Sequence, residues 1–588
     1  EPVKARRGMV VSVSPPATEV GLAALQRGGN AVDAAVAVAF ALAVTFPEAG
    51  NIGGGGFMVV RPGDGTEPVV IDYREVAPRA ATRELFATLE SKLGHKAVGV
   101  PGTVRGLAAA HQRFGRLPWK EVVQGAVEIA ERGLTLDADL AGALNRLVGQ
   151  SAAFPEFCRV YGKDGGKAAW EAGDCLKQPD LARTLRQIAE QGPEAFYRGP
   201  IADLIVAEMQ RGSGLIDKED LAPYAAQAKA PLRGLFRGYE ILCPPAPTGG
   251  TVLVEMLNIL ENFDLRAQGR WSPATVHLMI EAMRLAYFDR ACYLADPQFV
   301  RVPEFLVDKT YARRLAESID RNRAGSSAAL AGSRQITLAD DEGSSTTHFS
   351  VIDESGMAVA NTYTLEHSYG SRVVVPGGGF LLNNEMGDFN WKPGRTDRTG
   401  TIGTQPNLIE PGKRMLSSQT PTIVTKDGRV VLITGSPGGR TIINTVLNVV
   451  LNVTEFEMDP AAAVDAPRFH HQWLPDRVVF ERRVEEDHPD LMRELQAMGH
   501  TIGKPVGSQG DAHSIWIAPK TGQRHGAADR RRKRDCRGRA TAVGGAFPGS
   551  ARGSRRDPRR CDRRVRRACR TTRRAGVLQL PAQRCFPG

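Results

Sequence analysis

The chain has 588 residues, of which 42% are hydrophobic and 24% charged, a composition typical of a soluble globular protein that excludes collagen, a long coiled coil and a wholly disordered chain. The net charge of +11 is uneven, because residues 530–588 carry 20 Lys+Arg against three acids and leave the remainder mildly acidic. The overall charge therefore says little about the partners of the main body.

The first predicted elements alternate between strand and helix. A β-branched run at residues 9–13 predicts a strand, and helical spacing follows at residues 19–27. Residues 31–46 are the most apolar segment, but they include Asp33 and are fewer than the roughly 20 residues needed to cross a bilayer. They predict a buried helix.

Predicted strands and predicted helices both continue through the first half of the chain. Apolar runs at residues 57–61 and 69–73 follow a glycine-rich stretch and predict a hairpin. Residues 103–210 and 251–294 have mainly helical periodicity. Over residues 323–345 this periodicity fades into Gly, Ser and acidic residues, which predicts a flexible, exposed segment.

The second half of the chain begins with a two-residue period. Two further hairpins are predicted at residues 349–365 and 422–434, followed by a helix at residues 441–453. Both halves therefore supply helices and antiparallel strands, and neither half reads as a separate all-helical or all-strand unit.

A small hydroxyl residue, Thr346, stands where the flexible segment meets a strand, directly after Ser345. One interpretation is that it only begins the strand. The other is that cleavage before Thr346 leaves a free α-amine beside its own hydroxyl, so that the amine can act as general base for that nucleophile. The residues alone leave both interpretations open.

A Gly-Gly pair, Gly438 and Gly439, lies at a predicted strand-to-helix junction. Backbone N–H groups and the positive end of the helix dipole point outward at such a junction, which suits an oxyanion. The alternative is a tight turn before a helix. The Lys-Ser/Thr of a phosphate-binding loop is absent.

A third group of polar residues combines one cation, two acids and two hydroxyls. Its members are Arg74, Glu385, Asp388, Ser417 and Ser418. A guanidinium and hydroxyls suit a carboxylate, and acids suit an ammonium, so that together they match an amino acid zwitterion. Each residue taken singly could equally be a turn residue or a surface ion pair.

The sequence lacks the motifs of several other enzyme classes. The sequence has no GxSxG, HExxH or GxxxxGK[ST] motif and no Cys/His spacing typical of zinc, so we expect neither metal nor cofactor. Cys158 and Cys175 flank a loop-like stretch, and both a disulfide and two free thiols remain open for them.

A series of ordered motifs resembles the γ-glutamyltransferase (γ-glutamyltranspeptidase) family from about residue 8 to Asp529. The upstream motifs are residues 28–33, 50–57, 72–75 and 101–104. The downstream motifs are residues 346–350, 361–365, 382–389, 415–418, 434–439 and 466–473.

The resemblance implies an N-terminal nucleophile hydrolase, an α+β four-layer αββα sandwich made as an inactive precursor. The precursor would cut itself between Ser345 and Thr346 into a large subunit, residues 1–345, and a small catalytic subunit, residues 346–529, which stay together as a heterodimer. A periplasmic or secreted location is also implied, with no signal peptide visible in the sequence.

The same resemblance implies roles for single residues. Thr346 is similar to the family's nucleophile, Thr364 to the hydroxyl partner that orients it, and the amides of Gly438 and Gly439 to the oxyanion hole. The implied reaction forms a γ-glutamyl ester from glutathione or a related γ-glutamyl compound. Water or the amine of an amino acid or peptide then takes the γ-glutamyl group, without a cofactor.

The substrate-binding residues that the resemblance implies coincide with the zwitterion group. Arg74, Ser417 and Ser418 resemble the holders of the donor α-carboxylate. Glu385 and Asp388 resemble those of its α-ammonium, and Glu366 is a further substrate-binding position. Glu366 and Glu385 stand where some members have Asn and Gln, although other bacterial members also carry Glu. Residues 395–411 have the length of a lid loop but not its sequence.

The Arg-rich tail, residues 530–588, departs from the family pattern. Arg, Ala, Gly and Pro dominate it without apolar periodicity, and our hypothesis is that residues from about Arg531 onward are translated in a shifted reading frame. The alternative is a basic arm that binds nucleic acid or an anionic membrane; without such an arm we expect no nucleic acid partner.

Two other functions compete with a γ-glutamyltransferase. One keeps the fold and changes the substrate to that of a cephalosporin acylase or a poly-γ-glutamate enzyme. The other is an unprocessed, non-catalytic binding protein with a basic tail. Arg74 with Ser417 and Ser418 favours a donor that carries a free α-carboxylate.

Overall fold

The computed structural model describes residues 2–332, 346–391 and 405–531, with the backbone of residues 541–542. The chain divides into two compact units, Glu1–Gly544 and Gly545–Gly588, and the second lies outside the described residues.

The helices are α1 Pro15–Gln26, α2 Ala31–Thr45, α3 Arg83–Ala87, α4 Thr103–Phe114, α5 Trp119–Arg132, α6 Ala138–Gly149, α7 Pro155–Tyr161, α8 Pro179–Gln191, α9 Glu194–Tyr197, α10 Pro200–Arg211, α11 Lys218–Leu221, α12 Gly250–Leu260, α13 Leu265–Gln268, α14 Pro273–Tyr293, α15 Lys309–Ser318, α16 Ser327–Ala331, α17 Ile442–Thr454, α18 Pro460–Asp465, α19 Arg482–Asp487 and α20 Pro489–Ala497. The strands are β1 Val3–Ala5, β2 Met9–Val11, β3 Gly55–Arg61, β4 Val69–Asp72, β5 Leu134–Thr135, β6 Cys175–Leu176, β7 Gln227–Lys229, β8 Leu232–Phe236, β9 Tyr239–Cys243, β10 Thr346–Ile352, β11 Ala358–Thr364, β12 Thr422–Lys426, β13 Arg429–Thr434, β14 Phe469–His470, β15 Val479–Phe480, β16 His513–Ile517, β17 Arg524–Ala528 and β18 Thr541–Ala542.

Two seven-stranded sheets form the centre of the first unit. The first sheet has the order β1-β17-β16-β13-β12-β9-β8, and the second has the order β18-β2-β10-β11-β3-β4-β7. Each sheet combines strands from before and after Thr346, and β10 lies between β2 and β11 in the middle of the second sheet. The segments on the two sides of residue 346 are therefore interleaved rather than stacked as separate domains.

Helices cover the outer face of each sheet. α2 packs on β10 and β11 of the second sheet, whereas α12 packs on β8 of the first sheet and also contacts α17. Between the sheets, β10 faces β16 and β11 faces β13, with Val59, Ile352, Ile423 and Ile433 buried in the interface. This arrangement is a four-layer αββα sandwich, which confirms the predicted α+β fold.

The most apolar segment forms the buried helix that its sequence predicts. All 15 residues of α2 are buried, and Asn30 begins the helix with a capping box closed by Asp33. Burial on every side explains why this helix has no polar face. In the described part of the chain, no helix is long and apolar enough to cross a membrane.

The three predicted hairpins are present, with shifted ends. They are β3–β4, β10–β11 and β12–β13, each antiparallel. The second hairpin begins at Thr346, three residues before the predicted start at Phe349. The residues of β10 are buried on both faces of the sheet, so apolar and polar residues need not alternate along this strand.

Part of the segment predicted to be flexible and exposed is folded. Residues 327–331 form α16, and the backbone N–H of Ser327 donates to Asp476 Oδ2 (2.9 Å) while its carbonyl accepts from Trp473 Nε1 (3.0 Å). Composition could not reveal these partners, since both lie far along the chain. Residues 333–345 lie outside the described residues.

The two cysteines for which a disulfide was an open possibility are free thiols. Cys158 Sγ lies 3.4 Å from the carbonyl oxygen of Ser151, and Cys175 Sγ lies 3.7 Å from that of Arg132. The two thiols contact different backbone segments, so the free-thiol alternative is the one that the structure adopts.

The folded body extends beyond the predicted start of the tail. Asp529 pairs with the buried Arg468 (2.8 Å), and Arg531 pairs with Glu481 (2.6 Å) and donates to the carbonyl of Val464 (2.9 Å). Arg531 is thus packed against the body. Apart from Arg531 and the backbone of β18, which pairs with β2, the residues of the shifted-frame hypothesis lie outside the described part.

The close approach of Gly54, directly before β3, to the end of β11 provides a test of the second sheet. A Cβ on Gly54 would lie 2.0 Å from the carbonyl oxygen of Thr364, so we expect Gly54→Ala to cost about 1–3 kcal/mol through overpacking and to lower the apparent melting temperature. Gly149→Ala is the control, because no heavy atom lies within 4 Å of its Cβ position. Equal melting temperatures for the two variants would contradict this packing.

Candidate active site

The two threonines singled out by sequence lie opposite each other. Thr346 begins β10 and Thr364 ends β11, and the antiparallel register pairs them directly. Thr346 is only 3% exposed, and its Oγ1 donates to Thr364 Oγ1 at 3.2 Å. Thr364 Oγ1 also accepts from the backbone N–H of Glu366 (2.8 Å), so its position is set from two sides. Ser345 lies outside the described residues.

An asparagine that the sequence analysis did not single out holds the end of β11. Asn51 Nδ2 donates to the carbonyl of Thr364 (2.9 Å), while its Oδ1 accepts from Gly54 N–H (2.9 Å) and Thr103 Oγ1 (2.7 Å). The sequence feature that could have indicated this role is the position of Asn51 in a glycine-rich motif, because an Asn side chain in such a turn commonly hydrogen-bonds to nearby backbone.

The Gly-Gly pair lies at the predicted strand-to-helix junction. Gly438 and Gly439 fall between β13 and α17, with φ of +130° and +55°. Positive φ at both positions favours glycine. The preceding Gly435 packs against His348, two residues after Thr346, so the junction lies close to the start of β10. The positive end of α17 adds to the potential there.

The predicted cation and its acids are in direct contact. Arg74 follows β4 and is fully buried, and its guanidinium pairs with Glu385 and Asp388 in a 3₁₀ turn. Burial alone would lower the pKa of Arg74, but the two carboxylates raise it instead. Glu75 lies 3.7 Å from the same guanidinium, and burial raises the pKa of its carboxyl to about 8.

Three carboxylates converge beside this arginine. Oxygens of Glu366, Glu385 and Asp388 lie within 4.8 Å of one another. Burial, reinforced by the charge of Asp388, raises the pKa of Glu366 to about 8, and burial also raises that of Glu385. Such a trio could receive a metal ion or an ammonium group. Because Arg74 already pairs with two members, a singly charged ammonium fits better than a divalent cation.

A second cluster of metal-ligand side chains is internally hydrogen-bonded. His277 Nδ1 lies 2.7 Å from His500 Nε2, and His277 Nε2 lies 2.8 Å from the carbonyl of Asp320. The third member, Glu281, pairs with Arg284. Each member has a protein partner, so this cluster is explained by packing.

The two serines follow backbone that contacts Arg74. Arg74 Nε donates to the carbonyl of Met415 at 3.3 Å. Ser417 Oγ accepts from the backbone N–H of Gln419 (3.1 Å), whereas Ser418 Oγ accepts from Arg290 Nη2 (3.1 Å). No sequence pattern indicated Arg290, which lies within the long helix α14.

The described end of the predicted lid segment lines the same site. Asn407 Nδ2 donates to the carbonyl of Asp388 (2.7 Å), and its Oδ1 accepts from the N–H of Leu416 (3.0 Å). Asn407 therefore bridges the acidic turn and the segment that carries the serines. Residues 392–404 lie outside the described residues.

Comparison with known proteins gives one consistent result. The family Gamma-glutamyltranspeptidase matches residues 17–538. A glutathione hydrolase proenzyme of Escherichia coli is 45% identical over 541 residues, covering 90% of this chain and 91% of that protein. An acylase ACY 1 proenzyme of a Pseudomonas species is 37% identical over 88% of this chain and 91% of that protein. The crystal structure of a cephalosporin acylase from Bacillus halodurans superposes with a TM-score of 0.80 at 28% identity, covering 93% and 97% of the two chains.

The buried charge cluster predicts non-additive effects on stability. Arg74→Met leaves Glu385 and Asp388 without their cation, which should cost about 3–5 kcal/mol and lower the apparent melting temperature at a fixed scan rate. Adding Glu385→Gln removes one of the uncompensated charges and should restore part of the loss. Strictly additive effects of the two substitutions would contradict direct pairing.

Proposed function

Because the chain belongs to the γ-glutamyltranspeptidase family, we propose that it is a self-processing γ-glutamyltransferase that cleaves the γ-glutamyl amide of glutathione and related compounds. The observation that carries this proposal is the Thr346–Thr364 hydroxyl pair at the start of a strand that follows the predicted cleavage point. A buried cation and three acids beside it suit the amino acid head group of such a donor.

Maturation would use the same hydroxyl as catalysis. Thr346 Oγ1 attacks the carbonyl carbon of Ser345, and the peptide C–N bond breaks as an ester forms, an N-to-O acyl shift. Water hydrolyses that ester and leaves the carboxylate of Ser345 and the free α-amine of Thr346. Because each sheet contains strands from both segments, cleavage would leave a heterodimer.

In turnover, the freed amine of Thr346 takes the proton of its own hydroxyl as that oxygen attacks the γ-carbonyl of the donor. Thr364 orients the hydroxyl, and the N–H groups of Gly438 and Gly439 stabilise the oxyanion. The leaving amine departs with a proton from the Thr346 ammonium. Water or an acceptor amine then attacks the γ-glutamyl ester and regenerates Thr346.

Donor binding would exchange one set of ion pairs for another. The donor carboxylate binds Arg74, Ser417 and Ser418, and its ammonium binds Glu366, Glu385 and Asp388. Without a donor, Arg74 pairs with the acids themselves. A zwitterion supplies both missing charges at once, whereas a donor without an α-ammonium would leave the carboxylates in excess.

The need for an α-amino acid head group on the donor distinguishes the alternative substrates. The acylase relatives share the fold, but an acyl donor that lacks an α-amino acid group could not use this cluster of charges. A poly-γ-glutamate end keeps that group and fits it. We also propose amino acids or short peptides as acceptors and a periplasmic or secreted location, which agrees with the family.

Replacement of the nucleophile tests processing and chemistry together. Thr346→Ala should remain one chain of 63.5 kDa and release no p-nitroaniline from γ-glutamyl-p-nitroanilide, whereas wild type should yield two fragments, the smaller beginning at Thr346. Thr346→Ser, which keeps a hydroxyl, should retain slow processing. Intact mass, N-terminal sequencing and the colour assay measure these outcomes. An active, uncut wild-type chain would refute self-processing, and an inactive, uncut one would favour a binding protein.

Donor affinity should depend on pH through Glu366. Burial raises the pKa of this carboxyl to about 8, so it is neutral at lower pH and must lose its proton to pair with an ammonium. The KM of γ-glutamyl-p-nitroanilide should therefore fall as pH rises from 6 to 8, and Glu366→Gln should flatten the dependence. KM is the measure, because titration of the Thr346 amine also changes kcat. Parallel profiles for the two proteins would exclude Glu366 as the titrating group.

A further inference from the structure

We propose that Arg290 is a positioning residue for the donor α-carboxylate, acting through the hydroxyl of Ser418 and supplying the site with a second cation besides Arg74. This inference rests on the proposed function, in which the two serines bind that carboxylate. It assigns a specificity-determining role to a residue of α14 that lies outside every motif of the sequence analysis.

The hydrogen-bond direction between the two side chains is fixed by chemistry. A guanidinium can only donate, so Arg290 Nη2 donates to Ser418 Oγ at 3.1 Å. The serine hydroxyl accepts with one lone pair and keeps its own proton free to donate. Ser418 is half-buried, unlike its neighbour Ser417, so its O–H can reach a ligand. The hydrogen bond from Arg290 thus leaves the Ser418 O–H to donate to an incoming carboxylate.

The charge of Arg290 is not neutralised within the described part of the chain. Its side chain is 5% exposed, its Nε has no hydrogen-bond partner, and the guanidinium forms no ion pair with a described carboxylate. Burial of a charge without a counterion is costly, and burial accordingly lowers the pKa of Arg290 to about 10. A bound carboxylate would supply the missing anion.

Arg74 is in the opposite electrostatic situation. Its guanidinium already pairs with Glu385 and Asp388, and its Nε donates to the backbone. Besides burial, the cations Arg440 and Arg74 lower the pKa of Arg290, whereas Tyr287 and Asp388 raise it. Arg74 therefore shares its charge between the acids and the donor carboxylate. Arg290 forms no ion pair with a described carboxylate, so its charge adds to the attraction for the donor carboxylate.

The test compares two ligands that differ only by the α-carboxylate, L-glutamate and 4-aminobutyrate. Isothermal titration calorimetry on the processed protein should show that Arg290→Met weakens L-glutamate binding at least tenfold and changes 4-aminobutyrate binding less than twofold. Arg290→Lys should be intermediate, since it keeps the charge but not the planar donor fork. The control is Arg493→Met on the exposed face of α20, which should match wild type.

Two results would overturn the inference. One is unchanged L-glutamate affinity in Arg290→Met, and the other is an equal loss for both ligands, which would indicate a general distortion of the site. If Arg290→Met fails to fold, Arg290→Lys serves instead, and it should show a smaller but still selective loss of L-glutamate affinity. Failure of the proposed function would appear separately, as an absence of p-nitroaniline release by wild type, because calorimetry does not require turnover.

Discussion

The antiparallel pairing of β10 with β11 is the constraint on which the site depends. It places Thr346 opposite Thr364 and buries both between two sheets, so the hydroxyl pair cannot form unless the register is correct. A shift of one residue would turn every side chain of β10 to the other face. Asn51 and the close approach of Gly54 hold the carbonyl end of β11 and so protect this register.

A second constraint is the balance of buried charge beside that pair. One arginine and several acids compensate each other, while another arginine, Arg290, lies close by and forms no ion pair with a described carboxylate. Fully compensated charge mainly rigidifies a site, whereas uncompensated charge attracts a ligand of the opposite sign. The pattern favours a small zwitterion over a neutral or purely anionic acyl donor.

Sequence patterns indicated most residues of the candidate site because these residues lie where local rules of chain structure apply. Thr346 stands at a change of period, Gly438 and Gly439 at a strand-to-helix junction, and Arg74 after a strand. Asn51 and Arg290, which no pattern singled out, each form a side-chain hydrogen bond to a residue more than a hundred positions away. No local period marks such partners, and an arginine inside a long helix reads as an ordinary surface residue.

By itself the sequence determined the mixture of helices and antiparallel strands, the three hairpins and the buried helix α2, because hydrophobic periodicity and turn residues are local properties of the chain. Only the tertiary structure decided which strands share a sheet, that α16 folds against distant residues, and that Cys158 and Cys175 are free thiols. It also decided that Arg74 pairs with its acids, whereas Arg290 forms no ion pair with a described carboxylate. These outcomes depend on contacts between distant segments and on burial. A charge or a thiol acquires its partner, or lacks one, only when the sheets and helices have packed around it.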